Sequence, residues 1–320
     1  MLFSKIIEKK FDAVLGRYDG DPAIKYYSID EFPLLKRKSF DIQGDNGIML
    51  IGFFYYYNEI ITDKIVIFDH GIGAGHNAYF KEIDYLAKNG YTVYAYDHTG
   101  CRLTGGNGIL GFSQGINDLD HILAKFNEIP EFKDKARKII GHSWGGYSGM
   151  NVCAIHPEVS HIVSLAGFLS ARALIEQYIP KPFLKYSNEV MEREYLHNPQ
   201  YALMDARQSL KKSNAKLLHL QSKDDVKVKY ELCTTLLMEA LKDRDNTDFV
   251  VVENKNHDPQ RTAAASCANT AMLQELNLLR KNKKLNNSSQ CEKFIAKHNW
   301  DLITQQDSEV WDIILEFLNS

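Results

Sequence analysis

One segment restricts the folds open to this chain more than any other: Lys138-Ile139-Ile140-Gly141-His142-Ser143-Trp144-Gly145-Gly146-Tyr147. A short β-rich run leads into a serine bracketed by glycines, and helix-period spacing resumes at once, from Gly145 to His156. That order reads as strand, sharp turn, helix. Where the chain reverses within a few atoms of a sheet, side chains at positions 141 and 145 would collide with neighbouring backbone, and both positions are glycine. The turn lifts Ser143 above the sheet edge. It also sets the serine at a helix N-terminus, where unpaired N–H groups and the helix dipole favour developing negative charge.

The same unit recurs along the chain. β-rich runs at Ser39–Gln43, Ile48–Tyr56, Lys64–Asp69, Thr92–Asp97, Lys138–Gly141, Ile162–Ala166, Lys216–Gln221 and Phe249–Val252 alternate, after the first two, with helical patterns at Tyr79–Lys88, Ile116–Phe126, Gly145–His156 and Tyr230–Leu241. This predicts an α/β fold with a mostly parallel, eight-stranded sheet covered by helices on both faces. The 320 residues suit one large domain, and 44% hydrophobic with 25% charged residues is a globular balance.

Two stretches break the alternation. Residues 168–214 are too long for a connection and carry helical spacing interrupted by Pro180 and Pro182, which predicts a helical cap inserted between strands. Its Phe168, Leu169, Tyr178, Ile179, Phe183 and Tyr186 are candidates to line a substrate pocket or to pack the cap on the body. Residues 258–306 hold a helical pattern at Ala263–Leu279 and a polar loop at Lys281–Gln290, before a last helix at Val310–Leu318. At the start, Leu2, Phe3, Ile6, Ile7, Phe11, Val14 and Leu15 fall on one stripe of an amphipathic helix that docks on the body or on a second subunit, which leaves a homo-oligomer open. The expected organisation is therefore a lead-in at 1–38, a core at 39–167 and 215–320, and a cap at 168–214.

A formal charge of −3 gives no basic field for nucleic acid. The most apolar run, Ile48–Tyr57, falls short of the roughly 18 residues that a membrane span requires. Residues 1–20 interrupt their apolar positions with Lys5, Lys9 and Lys10 and lack a secretory cleavage pattern. Five scattered cysteines without a CxxC fit reduced thiols. The expectation is a cytoplasmic protein.

From roughly Ser39 to His257, and again in the last helix, the sequence resembles the α/β-hydrolase superfamily. The resemblance implies that Ser143 is the nucleophile. His70-Gly71-Ile72-Gly73-Ala74-Gly75 is similar to that superfamily's oxyanion loop, which implies that the N–H groups of Ile72 and Trp144 hold the oxyanion. No Gly-Lys-Ser/Thr follows to support a phosphate cradle. A serine hydroxyl needs a base near neutrality, and among 11 histidines His257, on the loop after the last candidate strand, stands where the superfamily places it. His142 reads as a packing residue or a surface hydrogen-bonder, and His70, His76 and His219 as structural. For the acid, Ser222-Lys223-Asp224-Asp225 resembles a Gly-x-x-Asp register with serine in place of glycine, which selects Asp225 and leaves Asp224 as the alternative. In Asp97-His98-Thr99-Gly100-Cys101-Arg102, Thr99 stands where the superfamily usually carries arginine, in a loop that is structural there.

These residues imply a serine hydrolase working through an acyl-enzyme, with no cofactor and no metal. A carboxylic ester with a small or medium apolar acyl group is the favoured substrate. An aminopeptidase-type serine peptidase, an acyltransferase or a thioesterase would use the same three side chains. A pseudo-hydrolase that only binds a ligand is the non-enzymatic rival.

Overall fold

The structure is a computed structural model that describes residues 2–73 and 75–320, with side chains from residue 9 onward. Its strands are β1 Lys36–Ser39, β2 Ile42–Gln43, β3 Met49–Leu50, β4 Gly52–Tyr56, β5 Ile65–Asp69, β6 Thr92–Tyr96, β7 Arg137–His142, β8 Val159–Leu165, β9 Lys216–Ser222 and β10 Thr247–Val252. Eight form one sheet in the order β1-β4-β6-β5-β7-β8-β9-β10. The β1–β4 and β4–β6 pairs are antiparallel, and every later pair is parallel. The expected fold class is met, with a correction at the start. The two early strands of the sequence reading are four short ones, with β2 and β3 pairing apart from the main sheet. The run from Ile48 breaks at Ile51, whose N–H goes to Thr104 Oγ1 (2.9 Å) instead of a ladder partner.

The parallel strands β5 to β9 are largely buried and rich in apolar residues because both faces are covered. Successive residues point to opposite faces, and they sort into two cores. Ile65, Ile67, Ile139, Ile162 and Leu217 enter one; Val66, Phe68, Ile140, Val163 and Leu218 enter the other. The first core is closed by α1 Leu2–Leu15, α3 Gln114–Glu128, α4 Trp144–Val152 and α8 Thr234–Ala240. The inserted helices α5 Ala171–Tyr178, α6 Ser187–His197 and α7 Ala206–Ser209 also pack here. The second is closed by α2 Phe80–Lys88, α9 Ala263–Lys281, α10 Ser288–Lys297, α11 Trp300–Ile303 and α12 Ser308–Asn319.

The polar loop expected at Lys281–Gln290 is present but ends earlier, where helix α10 begins at Ser288. Asn287 caps it by accepting from the Gln290 N–H, and Cys291 and Phe294 supply its buried stripe. Of the apolar stripe expected at the N-terminus, Leu2, Phe3, Ile6 and Ile7 lie outside the described side chains, while Phe11 and Leu15 are buried. No helix among the described residues is long and apolar enough to cross a membrane.

Candidate active site

The turn between β7 and α4 holds Ser143 in an unusual backbone conformation. Ser143 has φ 52° and ψ −103°, a left-handed conformation that a side-chain-bearing residue adopts only when its surroundings enforce it. The surroundings are backbone. A Cβ at Gly141 would run into the Gly145 carbonyl, and one at Gly145 would run into the carbonyl oxygen of Asp69. The Ser143 N–H is tied to Leu165 O at the end of β8 (2.7 Å), and its carbonyl accepts from Tyr147 N (3.0 Å). As the first residue of α4, Trp144 has an amide with no intrahelical acceptor.

His257 follows β10 on a loop in which Asn254 and Asn256 take positive φ, a conformation asparagine tolerates. Its Nδ1 is 2.7 Å from Asp225 Oδ2. The Asp225 carboxylate is buried and fully engaged. It accepts from the N–H of Lys227 (2.8 Å) and Val228 (3.1 Å) through Oδ1, and from Gln221 Nε2 (2.6 Å) through Oδ2. Asp224 points elsewhere, accepting from Asn256 N (3.2 Å) and from the Ser222 hydroxyl. Ser222, where the superfamily usually has glycine, also takes the Lys255 N–H (3.2 Å), so its hydroxyl splices the turn of Asp225 to the loop of His257. Ser143 and His257 line the same cavity. No hydrogen bond joins Ser143 Oγ to His257 Nε2 among the described residues.

His142 is buried rather than at the surface, which corrects one of its two expected roles. Its Nε2 lies 2.8 Å from the carbonyl oxygen of His257, so that nitrogen must carry the proton. Nδ1 is then an acceptor, taking the Tyr79 hydroxyl proton at 2.8 Å, while the Tyr79 oxygen accepts the Gly71 N–H at 3.1 Å. One directed chain thus runs from the glycine-rich loop to the loop of His257. Burial, and then the neighbouring His257, push the His142 pKa down to about 4, which keeps the imidazole neutral as this chain requires. Sequence reasoning had no access to Tyr79, because nothing in its spacing marks it.

A second buried network lies beneath the turn. His98 bridges Asp69, through Nε2, and Asp118, through Nδ1 (3.0 Å), and its ring packs tilted against Trp144 with centroids 4.4 Å apart. Burial opposes its charge, but the two flanking carboxylates outweigh burial and raise its pKa to about 9. His70 is the opposite case: burial drives it down to about 3, and Nε2 accepts from the His98 N–H (3.0 Å). His219 bonds Ser164 and Thr234 and is lowered to about 4 by burial. His76 pairs with Asp97 (2.8 Å) and Tyr55 (2.8 Å).

A cavity of about 860 Å³ opens over Ser143, at the upper end of the range for small-molecule sites. Ile72, His257, Phe112, Phe168, Leu174, Tyr178, Ile179 and Phe183 line it, with Lys10, Phe11, Val14 and Tyr18 from the N-terminal segment. Of the expected pocket residues, Leu169 is buried without lining it and Tyr186 does not reach it. Asp258 is the one carboxylate among the described lining residues, and Arg261 Nη1 stands 3.5 Å from it. The burial of Asp258 is outweighed by Arg261, which holds its pKa down at about 2.

Comparisons with known proteins agree with this architecture. A model of the family described as serine aminopeptidase, S33, matches residues 61–238, more than half of the chain. The monoglyceride lipase of Saccharomyces cerevisiae is 27% identical over 125 residues, which span 37% of this chain and 37% of that protein. An esterase from Pyrococcus furiosus superposes with a TM-score of 0.58 at 16% identity, covering 89% of this chain and 99% of that one. Acetyl xylan esterase 1 from Thermoanaerobacterium does so at 0.55 and 16%, covering 83% and 92%. At these identities the solved structures speak for the fold.

Proposed function

We propose that this chain, which belongs to the serine aminopeptidase S33 family of α/β-hydrolases, is a serine hydrolase that cleaves carboxylic esters of apolar acids through an acyl-enzyme on Ser143. The observation that carries the reading is the 2.7 Å Asp225–His257 bond on the wall of the cavity whose base holds the strained Ser143. Asp225 Oδ2 accepts the Nδ1–H proton, which leaves Nε2 as the basic nitrogen and stabilises the imidazolium once it forms. His257 Nε2 takes the Ser143 proton as Oγ attacks the acyl carbon. The N–H groups of Ile72 and Trp144 receive the oxyanion. On collapse, His257 returns the proton to the departing alcohol, and water attacks the acyl-enzyme by the same route.

The lining favours an ester over an amino-terminal peptide. Recognition of a free amine calls for a carboxylate with unspent charge, and Asp258 is held by Arg261. Aromatic and aliphatic side chains make up most of the remaining wall, which suits a small or medium apolar acyl group.

A fluorescent fluorophosphonate tests the nucleophile. The wild type should label and Ser143→Ala should not, while a panel of p-nitrophenyl acyl esters should be turned over faster than aminoacyl p-nitroanilides. A folded wild type that fails to label would reduce the site to a binding pocket.

A further inference from the structure

Helix α1 precedes the family-matched segment, yet it supplies part of the cavity wall. From the reading above, that the cavity holds an acyl group on Ser143, we infer that α1 sets the length of acyl chain this enzyme accepts. In this inference Phe11 and Val14 form the end of the acyl channel.

The rings trace the channel. Tyr147, one turn into α4, stacks on Phe168 with centroids 4.4 Å apart and planes at 13°. Phe168 meets Phe112 edge-on at 5.9 Å, and Phe112 meets Phe11 edge-on at 6.4 Å. Phe11 is therefore the last member of an aromatic row that begins beside the serine turn. Val14, one helical turn on from Phe11, lines the same cavity and is 37% exposed. Its side chain can grow without displacing core atoms.

The row is held rigidly. Residues at the end of α1 are stitched to the loop after β6: Leu15 O accepts from Ile109 N (3.0 Å), Tyr18 N donates to Gly100 O (2.9 Å), and Arg102 N donates to Tyr18 O (2.7 Å). The Arg17 guanidinium adds bonds to the carbonyls of Thr104 and Gly106, both 2.9 Å. Asp12 pairs with Arg193 of α6. The next residue, the buried Glu194 of α6, accepts the N–H groups of Phe112 (2.6 Å) and Ser113 (2.9 Å) at the start of α3. Phe112 O in turn accepts Trp144 Nε1–H at 2.6 Å. The position of α1 is thereby referenced to the serine turn through α6 and Phe112. A wall fixed this way acts as a ruler for the acyl chain.

The test is the chain-length profile of the full chain, measured as kcat/KM on p-nitrophenyl esters from acetyl to palmitoyl, with folding checked by circular dichroism. Filling the end of the channel with Val14→Phe should lower the palmitoyl-to-butyryl ratio about tenfold, the scale on which pockets discriminate methylenes. Emptying it with Phe11→Ala should raise that ratio. Folded variants whose ratio stays at the wild-type value, or moves in the same direction for both substitutions, would overturn the inference while fluorophosphonate labelling still supported the enzyme. Loss of labelling in the wild type would instead remove the reading on which the inference rests.

Discussion

The two sides of the cavity are built by different means. Around Ser143 the limits are set by main chain: Gly141, Gly145 and Asp69 leave no volume for another atom, and the serine itself is forced to a positive φ. On the opposite side the limits are set by side chains, the rings of Phe11, Phe112, Phe168 and Phe183 and the aliphatic groups of Leu174 and Ile179, drawn from helices and the loops beside them. Backbone cannot yield by small steps, whereas side chains can. Changes on the serine side should therefore be close to all-or-none, and changes on the opposite side should be graded and selective.

The largest effect tests the serine side. In Gly145→Ala a methyl group must enter the space of the Asp69 carbonyl, which belongs to β5 at the centre of the sheet. The expected cost is about 3 kcal/mol or more, read as a lowered midpoint in urea or as loss of soluble protein. A variant as stable as the wild type would erase the contrast. On the opposite side Leu174→Ala, at 9% exposure next to the cavity, should keep the protein folded and alter KM more than kcat.

Where Gly145→Ala strikes the fold, Asp225→Asn strikes the chemistry alone. The amide cannot stabilise the imidazolium, and if its NH2 faces Nδ1 the wrong tautomer is selected, so kcat should fall by about 10⁴-fold while ester binding persists. Asp224→Asn, whose carboxylate faces Asn256 N instead, should change kcat by less than about threefold. Equal losses in the two variants would mean that the acid is not specified by the observed bond.

These contrasts also mark what the sequence could and could not reveal. Ser143, Asp225 and His257 follow the ends of β7, β9 and β10; the strand-and-loop pattern together with the superfamily resemblance made them candidates, and parallel pairing brings those strand ends to one edge of the sheet. The parallel strands β5 to β9 were legible because, buried on both faces, they are rich in apolar and β-branched residues. The early strands were misplaced because the break at Ile51 depends on Thr104, more than fifty positions away. Tyr79 was invisible, since its partners Gly71 and His142 meet it only after β5 and β7 pair. The stripe carrying Phe11 and Val14 was visible as a stripe, but amphipathicity does not say which surface it will cover.

His142 is the point where the fixed side could prove less rigid than its backbone. In His142→Phe the ring volume stays, but Tyr79 loses its acceptor and the His257 carbonyl loses its donor. The loops carrying Gly71 and His257 would then be held separately, and kcat should drop about 10- to 100-fold with KM within a factor of three. His142→Gln, which restores a donor toward the carbonyl, should recover part of that loss. If the Phe variant loses stability in proportion to activity and Gln recovers nothing, the residue only packs.

The smallest effect is a pH dependence of stability spread over both sides. Burial holds His70, His142 and His219 at about 3, 4 and 4, below their ordinary value of 6.5. The unfolded chain therefore binds protons first, and stability that is intact above 6.5 declines as the pH falls toward 4. His98 and His156 behave in the opposite sense. Burial disfavours their charge, but paired carboxylates outweigh it and raise both to about 9, so their contribution is full below 6.5 and is lost as the pH rises through 9. The melting temperature should accordingly peak near pH 6.5. His219→Gln can keep hydrogen bonds to Ser164 and Thr234 without titrating, so it should flatten the acid limb and leave the alkaline limb alone. Melts from pH 4.5 to 9.5 decide it: a midpoint that climbs steadily toward acid would mean that these imidazoles are not held neutral by the fold.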